Sequence, residues 1–232
     1  MFEYSIFPAK SPTKSLIVFL HGYNDCVSYH QGAYELMRQN LPNSLLVAPE
    51  APEICDKNPQ KRQWFGMIKY DPENRRNFSS TSVPQIFKIY RQAEPEIDLR
   101  AHQINQFIDS LQQKYKISDS ETFLIGFSQG AMLALYSALC RNHPLGGAFI
   151  LSGLAAGRNL LHNKIKSNPP IFLFHGKNDL KVQYKTLKST AHWLKKHQIT
   201  PHIFTYKNLA HTVTAEEIKT ITQIIGLKNN FS

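Results

Sequence analysis

The chain has 232 residues, 42% of them hydrophobic, enough to bury a core and better matched to one α/β domain over 1–232 than to two. Its formal charge is +10, yet the basic residues are scattered, and no zinc-finger spacing, helix-turn-helix pattern or RNA-binding aromatic motif goes with them. No stretch approaches the ~20 apolar residues of a membrane span, 16–20 is too short for a secretion signal, and Cys26, Cys55 and Cys140 are too few for a disulfide framework or metal knuckle. A cytoplasmic protein with free thiols and no nucleic-acid partner is expected, with at most weak peripheral attraction to acidic lipid headgroups.

In chain order, short apolar runs at 16–20, 44–48, 122–126, 147–151, 171–174 and 202–206 predict strands, and the segments between them predict helices. Within 97–115, Ile97, Ala101, Ile104, Ile108, Leu111 and Tyr115 recur every three or four residues, which is one face of a helix lying on a sheet. Segments 185–197 and 214–225 share this habit, the second opening with Thr214 and Glu217 at capping-box spacing. The alternation predicts a mainly parallel central sheet with helices on both faces. One region breaks the rhythm: 52–95 carries Pro59, Pro72, Pro84, Asn58, Asn74 and Asn77 and no long periodic stretch. It is expected to be an irregular excursion from the sheet. Its apolar groups, Trp64 and Phe65 among them, have two readings, a satellite core beneath the loop or the wall of an acyl pocket.

Ser128 lies in Gly126-Phe127-Ser128-Gln129-Gly130, after an expected strand and before the apolar stretch Ala131-Met132-Leu133-Ala134-Leu135-Tyr136. Strand, sharp turn and helix around G-x-S-x-G make a nucleophile elbow, in which the glycines let strand and helix pass closely. A serine hydroxyl is a weak nucleophile near neutral pH and needs an imidazole to take its proton and an acid to orient that imidazole. On such a scaffold the acid and histidine follow the serine in that order. The acids after Ser128 are Asp179, Glu216 and Glu217, and only Asp179, just past the run 171–174, leaves a suitable histidine downstream. Of His192, His197, His202 and His211, the last falls in a loop between the final strand and final helix, free to reach across a strand end. The oxyanion of the tetrahedral intermediate needs two amide donors. Gln129 N–H opens the elbow helix, and Tyr23 N–H follows the flexible Gly22 in the loop after an early strand.

Four segments together resemble the phospholipase/carboxylesterase family of α/β-hydrolases, which includes acyl-protein thioesterases: Leu20-His21-Gly22-Tyr23-Asn24-Asp25, Gly126-Phe127-Ser128-Gln129-Gly130, His175-Gly176-Lys177-Asn178-Asp179 and Leu209-Ala210-His211. The resemblance implies an α/β-hydrolase fold, a triad of Ser128, Asp179 and His211, and an oxyanion hole from Tyr23 and Gln129. It places Trp64 and Phe65 near the acyl site, where 52–95 lines or covers it. The implied activity is hydrolysis of an ester or thioester through an acyl-enzyme, with no metal or organic cofactor. The substrate is then a small or lipid-like acyl ester or an acylated protein. Alternatives are a short-chain carboxylesterase of broad specificity and an inactive binding protein on the same fold.

Overall fold

The computed structural model describes residues 2–10 and 12–229. In chain order its elements are β1 (Tyr4–Phe7), β2 (Ser15–Leu20), α1 (Gln31–Asn40), β3 (Ser44–Pro49), β4 (Glu53–Ile54), β5 (Arg62–Gln63), α2 (Val83–Gln92), α3 (Glu94–Tyr115), β6 (Thr122–Phe127), α4 (Gln129–Cys140), β7 (Gly147–Leu151), α5 (Arg158–Leu161), β8 (Ile171–Gly176), α6 (Lys185–Lys196), β9 (His202–Tyr206) and α7 (Ala215–Asn229). Seven strands form one sheet in the order β1-β3-β2-β6-β7-β8-β9, and β4 pairs with β5 in a small separate ribbon. All neighbours in the large sheet run parallel except β1 with β3.

Strands β2, β3, β6, β7 and β8 are buried at every position. Helices cover both faces, so both sets of alternating side chains need apolar surroundings, which is why these strands read as continuous apolar runs. On one face Leu16, Val18, Leu20, Leu124, Ile150 and Leu173 pack with residues of α3, α4 and α6. On the other, Ile17, Phe19, Phe123, Ile125, Phe149 and Phe172 pack with Tyr34 and Met37 of α1 and Ile218, Ile221 and Ile225 of α7. Helix α4 is buried from Gln129 to Leu139, which accounts for its lack of a polar face. The expected Thr214–Glu217 capping box opens α7, with Thr214 N–H donating to Glu217 Oε2 (2.9 Å) and Glu217 N–H to Thr214 Oγ1 (3.3 Å).

The sequence reading gave no strand at β1, β4 or β5 and set no bounds for α1, α2 or α5. Strand β1 alternates between exposed and half-buried residues at the sheet edge, and α1 packs Tyr34 and Met37 inward with Ala33 and Leu36 half-buried beside them. For α2 the reading of 52–95 as irregular is corrected. Pro84 interrupts nothing, because it sits in the first turn of α2, where its missing N–H costs no hydrogen bond. Ser82 and Gln85 cap that turn reciprocally, with Ser82 N–H donating to Gln85 Oε1 (2.8 Å) and Gln85 N–H to Ser82 Oγ (3.4 Å). Pro95 likewise lies in the first turn of α3.

Candidate active site

Ser128 joins β6 to α4 with φ 55° and ψ −114°, a conformation that costs a non-glycine residue about 1–3 kcal/mol. Its neighbours are glycines for steric reasons. A Cβ on Gly126 would lie 2.3 Å from the Gly130 carbonyl oxygen, and one on Gly130 2.2 Å from that of Leu20. The turn is held by Ser128 N–H donating to Leu151 O (2.9 Å) and Met132 N–H donating to Ser128 O (3.1 Å). The side chain is thereby aimed outward at the carboxyl ends of the parallel strands, where open α/β sheets place their ligands.

Asp179 follows β8, and His211 lies between β9 and α7. The structure brings all three together: His211 Nε2 is 2.9 Å from Ser128 Oγ, and His211 Nδ1 is 2.7 Å from Asp179 Oδ2. With Nδ1–H donated to the carboxylate, Nε2 is the acceptor for the serine hydroxyl, the tautomer a proton relay needs. Asp179 Oδ1 takes the amides of Lys181 (2.8 Å) and Val182 (2.9 Å), and His175 Nε2 lies 3.5 Å from Oδ2. Burial opposes ionisation of Asp179, but hydrogen bonds from His175 and His211 outweigh it and hold the carboxyl well below the usual range. The His211 ring packs at 4.8 Å on Phe127, next to Ser128 in the chain.

The loop carrying His211 reaches the site because Gly176 lets it come close. A Cβ there would be 2.1 Å from the Leu209 carbonyl oxygen, which accepts Asn178 N–H at 3.1 Å. A backbone clash of this kind is not relieved by a rotamer change. Gly176→Ala is therefore expected to destabilise the fold by about 1–3 kcal/mol and, by shifting His211, to slow turnover roughly 100-fold. Denaturant midpoints and steady-state rates on one ester check both effects.

After β2 the loop is fixed by buried polar groups. Asp25 Oδ2 accepts Gly22 N–H (3.1 Å) and lies 2.7 Å from His30 Nε2, and Asp25 Oδ1 accepts Cys26 N–H (2.8 Å). Burial opposes ionisation of Asp25, but the His30 hydrogen bond prevails and keeps its carboxyl below the usual range. Asn24 N–H goes to Arg62 O (3.1 Å). The intervening Tyr23 N–H has no partner among the described residues, and neither has Gln129 N–H at the start of α4. Tyr23 and Gln129 line one cavity of about 180 Å³ together with Ser128 and His211.

Trp64 and Phe65 are fully buried and do not line that cavity, which corrects their expected contact with substrate. They are the satellite core, tied to the elbow. Gln129 Oε1 accepts Trp64 N–H (2.8 Å), Gln129 Nε2 donates to Phe65 O (2.7 Å), and Trp64 Nε1 donates to His21 O (2.8 Å). The excursion instead supplies Lys57, Met67, Asn74, Arg76, Asn77 and Tyr90 to the cavity wall. Of these, the sequence reading had Met67 and Tyr90 among the apolar groups that could wall an acyl pocket and Asn74 and Asn77 as breakers of regular structure, and it singled out neither Lys57 nor Arg76. No local pattern marks a lining residue whose neighbours in space are ~100 positions away.

The sequence pattern of the phospholipase/carboxylesterase family matches residues 3–229. Acyl-protein thioesterase 1 of Saccharomyces cerevisiae is 26% identical over 92% of this chain and 92% of its own length. The carboxylesterase SOBER1 of Arabidopsis thaliana is 24% identical over 90% of this chain and 88% of its own. Among solved structures, the crystal structure of esterase PE8 superposes with a TM-score of 0.80 at 27% identity, covering 97% of this chain and 98% of that one. The strand order, the helices on both faces and these superpositions make the architecture an α/β-hydrolase fold. With a family match running almost from end to end, the chain belongs to the phospholipase/carboxylesterase family.

Proposed function

We propose that the protein is a serine hydrolase of acyl esters or thioesters in which Ser128, His211 and Asp179 act as the catalytic triad. The observation that carries this is the continuous hydrogen-bonded line from Ser128 Oγ through both nitrogens of His211 to Asp179 Oδ2. Relatives named as acyl-protein thioesterases and a carboxylesterase supply the class of reaction. Ser128 Oγ attacks the acyl carbonyl while His211 Nε2 takes its proton. The carbonyl oxygen, now an oxyanion, accepts the free amides of Tyr23 and Gln129, and each such donor is worth about 2.7–4 kcal/mol in comparable sites. His211 then returns the proton to the departing alkoxide or thiolate, leaving acylated Ser128. Water deprotonated by His211 attacks the acyl-enzyme, and expulsion of Ser128 restores the start. Asp179 keeps the imidazole in one tautomer and balances its charge when protonated.

Among the described residues no helix is long and apolar enough to cross a membrane, so acyl substrates reach the site from solvent or from a surface. The test is labelling by a fluorophosphonate, which modifies an activated serine, followed by mapping of the modified peptide. Modification at Ser128 is expected, together with turnover in a series comparing palmitoyl thioester, lysophospholipid and short nitrophenyl esters. No label at Ser128 in a folded preparation would favour the inactive binding protein.

A further inference from the structure

The cavity that Ser128 and His211 line also has basic groups in its wall. Arg76 lines it with a side chain only 8% exposed, while Lys57 and Lys181 stand exposed at the mouth, and the lining includes no carboxylate. Three acids lie nearby outside the lining: Asp179, engaged with His211 and the Lys181 and Val182 amides, and Asp71 and Asp56. Asp71 Oδ1 accepts Arg75 N–H (2.7 Å), and its Oδ2 takes Arg76 N–H (3.1 Å) and Arg76 Nη1 (2.7 Å). Asp56 accepts the Tyr23 hydroxyl and the amides of Met67 (2.9 Å) and Ile68 (2.8 Å). Neither the Lys57 nor the Lys181 ammonium has an ion-pair partner among the described residues.

A guanidinium carries five N–H donors, and desolvating it is costly unless they find acceptors. Asp71 takes Nη1 from one side, and the hydroxyl of Tyr90, also a lining residue, stands beside the group. The wall is pinned to the loop that bears Asp179. Gln183 Nε2 donates to Arg76 O (2.7 Å) and Phe78 O (2.8 Å), and Lys185 Nζ donates to Ser79 O (3.0 Å). Arg76 and Ser128 are therefore held in fixed relation as lining residues of one cavity of about 180 Å³, beside a second cavity of about 330 Å³ that Ser128 and His211 also line.

We infer that Arg76, assisted by Lys181 and Lys57, forms an anion subsite, so that the substrate is an ester or thioester bearing a carboxylate or phosphate near the scissile bond. The inference rests on the esterase reading for the reaction but not for the binding. A planar guanidinium matches both oxyanions through paired hydrogen bonds, and burial strengthens the pairing.

Binding to Ser128→Ala protein, measured by calorimetry, tests the subsite without turnover. Two pairs of esters suffice: monomethyl glutarate against methyl pentanoate, and 1-butyrylglycerol 3-phosphate against 1-butyrylglycerol. At least one anionic ester is expected to bind roughly 10- to 100-fold more tightly than its neutral partner, and the pair that shows it identifies the anion as carboxylate or phosphate. Adding Arg76→Gln should bring that ratio to within about threefold of unity. Arg76→Lys, which keeps a cation for Asp71 but loses the planar fork, should lose most of the preference if the glutamine variant does not fold. Lys181→Gln, at an exposed position, should reduce it by about two- to fivefold. Equal affinity for both members of both pairs, or a preference unchanged in the Arg76 and Lys181 variants, overturns the inference. Equal hydrolysis of all four esters by protein with Ser128 intact would remove the subsite and leave the esterase standing. Selective anion binding without Ser128-dependent hydrolysis would do the reverse.

Discussion

Replacing Ser128 by alanine is expected to lower kcat by about 10⁶-fold, the loss found when a triad nucleophile is removed in comparable enzymes, with a residual 10³- to 10⁴-fold advantage over water. The residue would come from the Tyr23 and Gln129 amides and from binding, neither of which the substitution touches. Alanine keeps the Cβ, so the strain at φ 55° and ψ −114° persists and stability should change little. Ser128→Gly removes the Cβ and should raise stability by about 1 kcal/mol or more while abolishing activity equally. Single-turnover assays and denaturant midpoints on the three proteins separate the effects. A Ser128→Ala rate within tenfold of wild type would end the assignment of Ser128 as nucleophile. A lower midpoint for the glycine variant would show that the elbow stores no relievable strain.

Asp179→Asn is expected to cost about 10⁴-fold in kcat at neutral pH. The asparagine amide fits the same space, but its N–H groups would face His211 Nδ1 and favour the tautomer with the proton on Nε2. That nitrogen would then donate to Ser128 Oγ instead of taking its proton. The same substitution bears on acid stability, with a definite sign. The carboxyl of Asp179 is held below its ordinary value of 3.8 in the folded protein, burial opposing and the His175 and His211 hydrogen bonds prevailing. Its contribution is thus fully present above the unfolded value and is lost as pH falls through the folded one. Wild type should therefore lose stability more steeply than Asp179→Asn as pH drops below about 4. Chemical denaturation at a series of pH values gives both curves, and parallel acid limbs would contradict the proposed tuning of Asp179.

Much of this was legible along the chain. Five of the six strands legible in the sequence announced themselves because parallel strands covered on both faces must be apolar throughout, as β2 and β6 are, while the edge strand β9 showed by its β-branched and aromatic residues. The elbow was legible because Gly126 and Gly130 meet a steric need set within a few residues of Ser128. Asp179 and His211 could be picked out by chain order, since strand ends after β6 are few and acids there fewer still. Prolines misled where their position mattered more than their presence, as with Pro84 in the capped first turn of α2.

What the sequence determined by itself, then, was which serine, acid and histidine come together and the sheet beneath them, because both depend on backbone geometry and on the local alternation of apolar runs. The tertiary structure alone decided what surrounds the nucleophile. Trp64 and Phe65 go under the wall while Arg76 lines it, and Gln183 holds Arg76 from 107 positions away. Which side of a folded loop faces the cavity is set by how the whole loop packs on α4 and on the β8 end. That packing is a sum of long-range contacts, and no short stretch of residues encodes it.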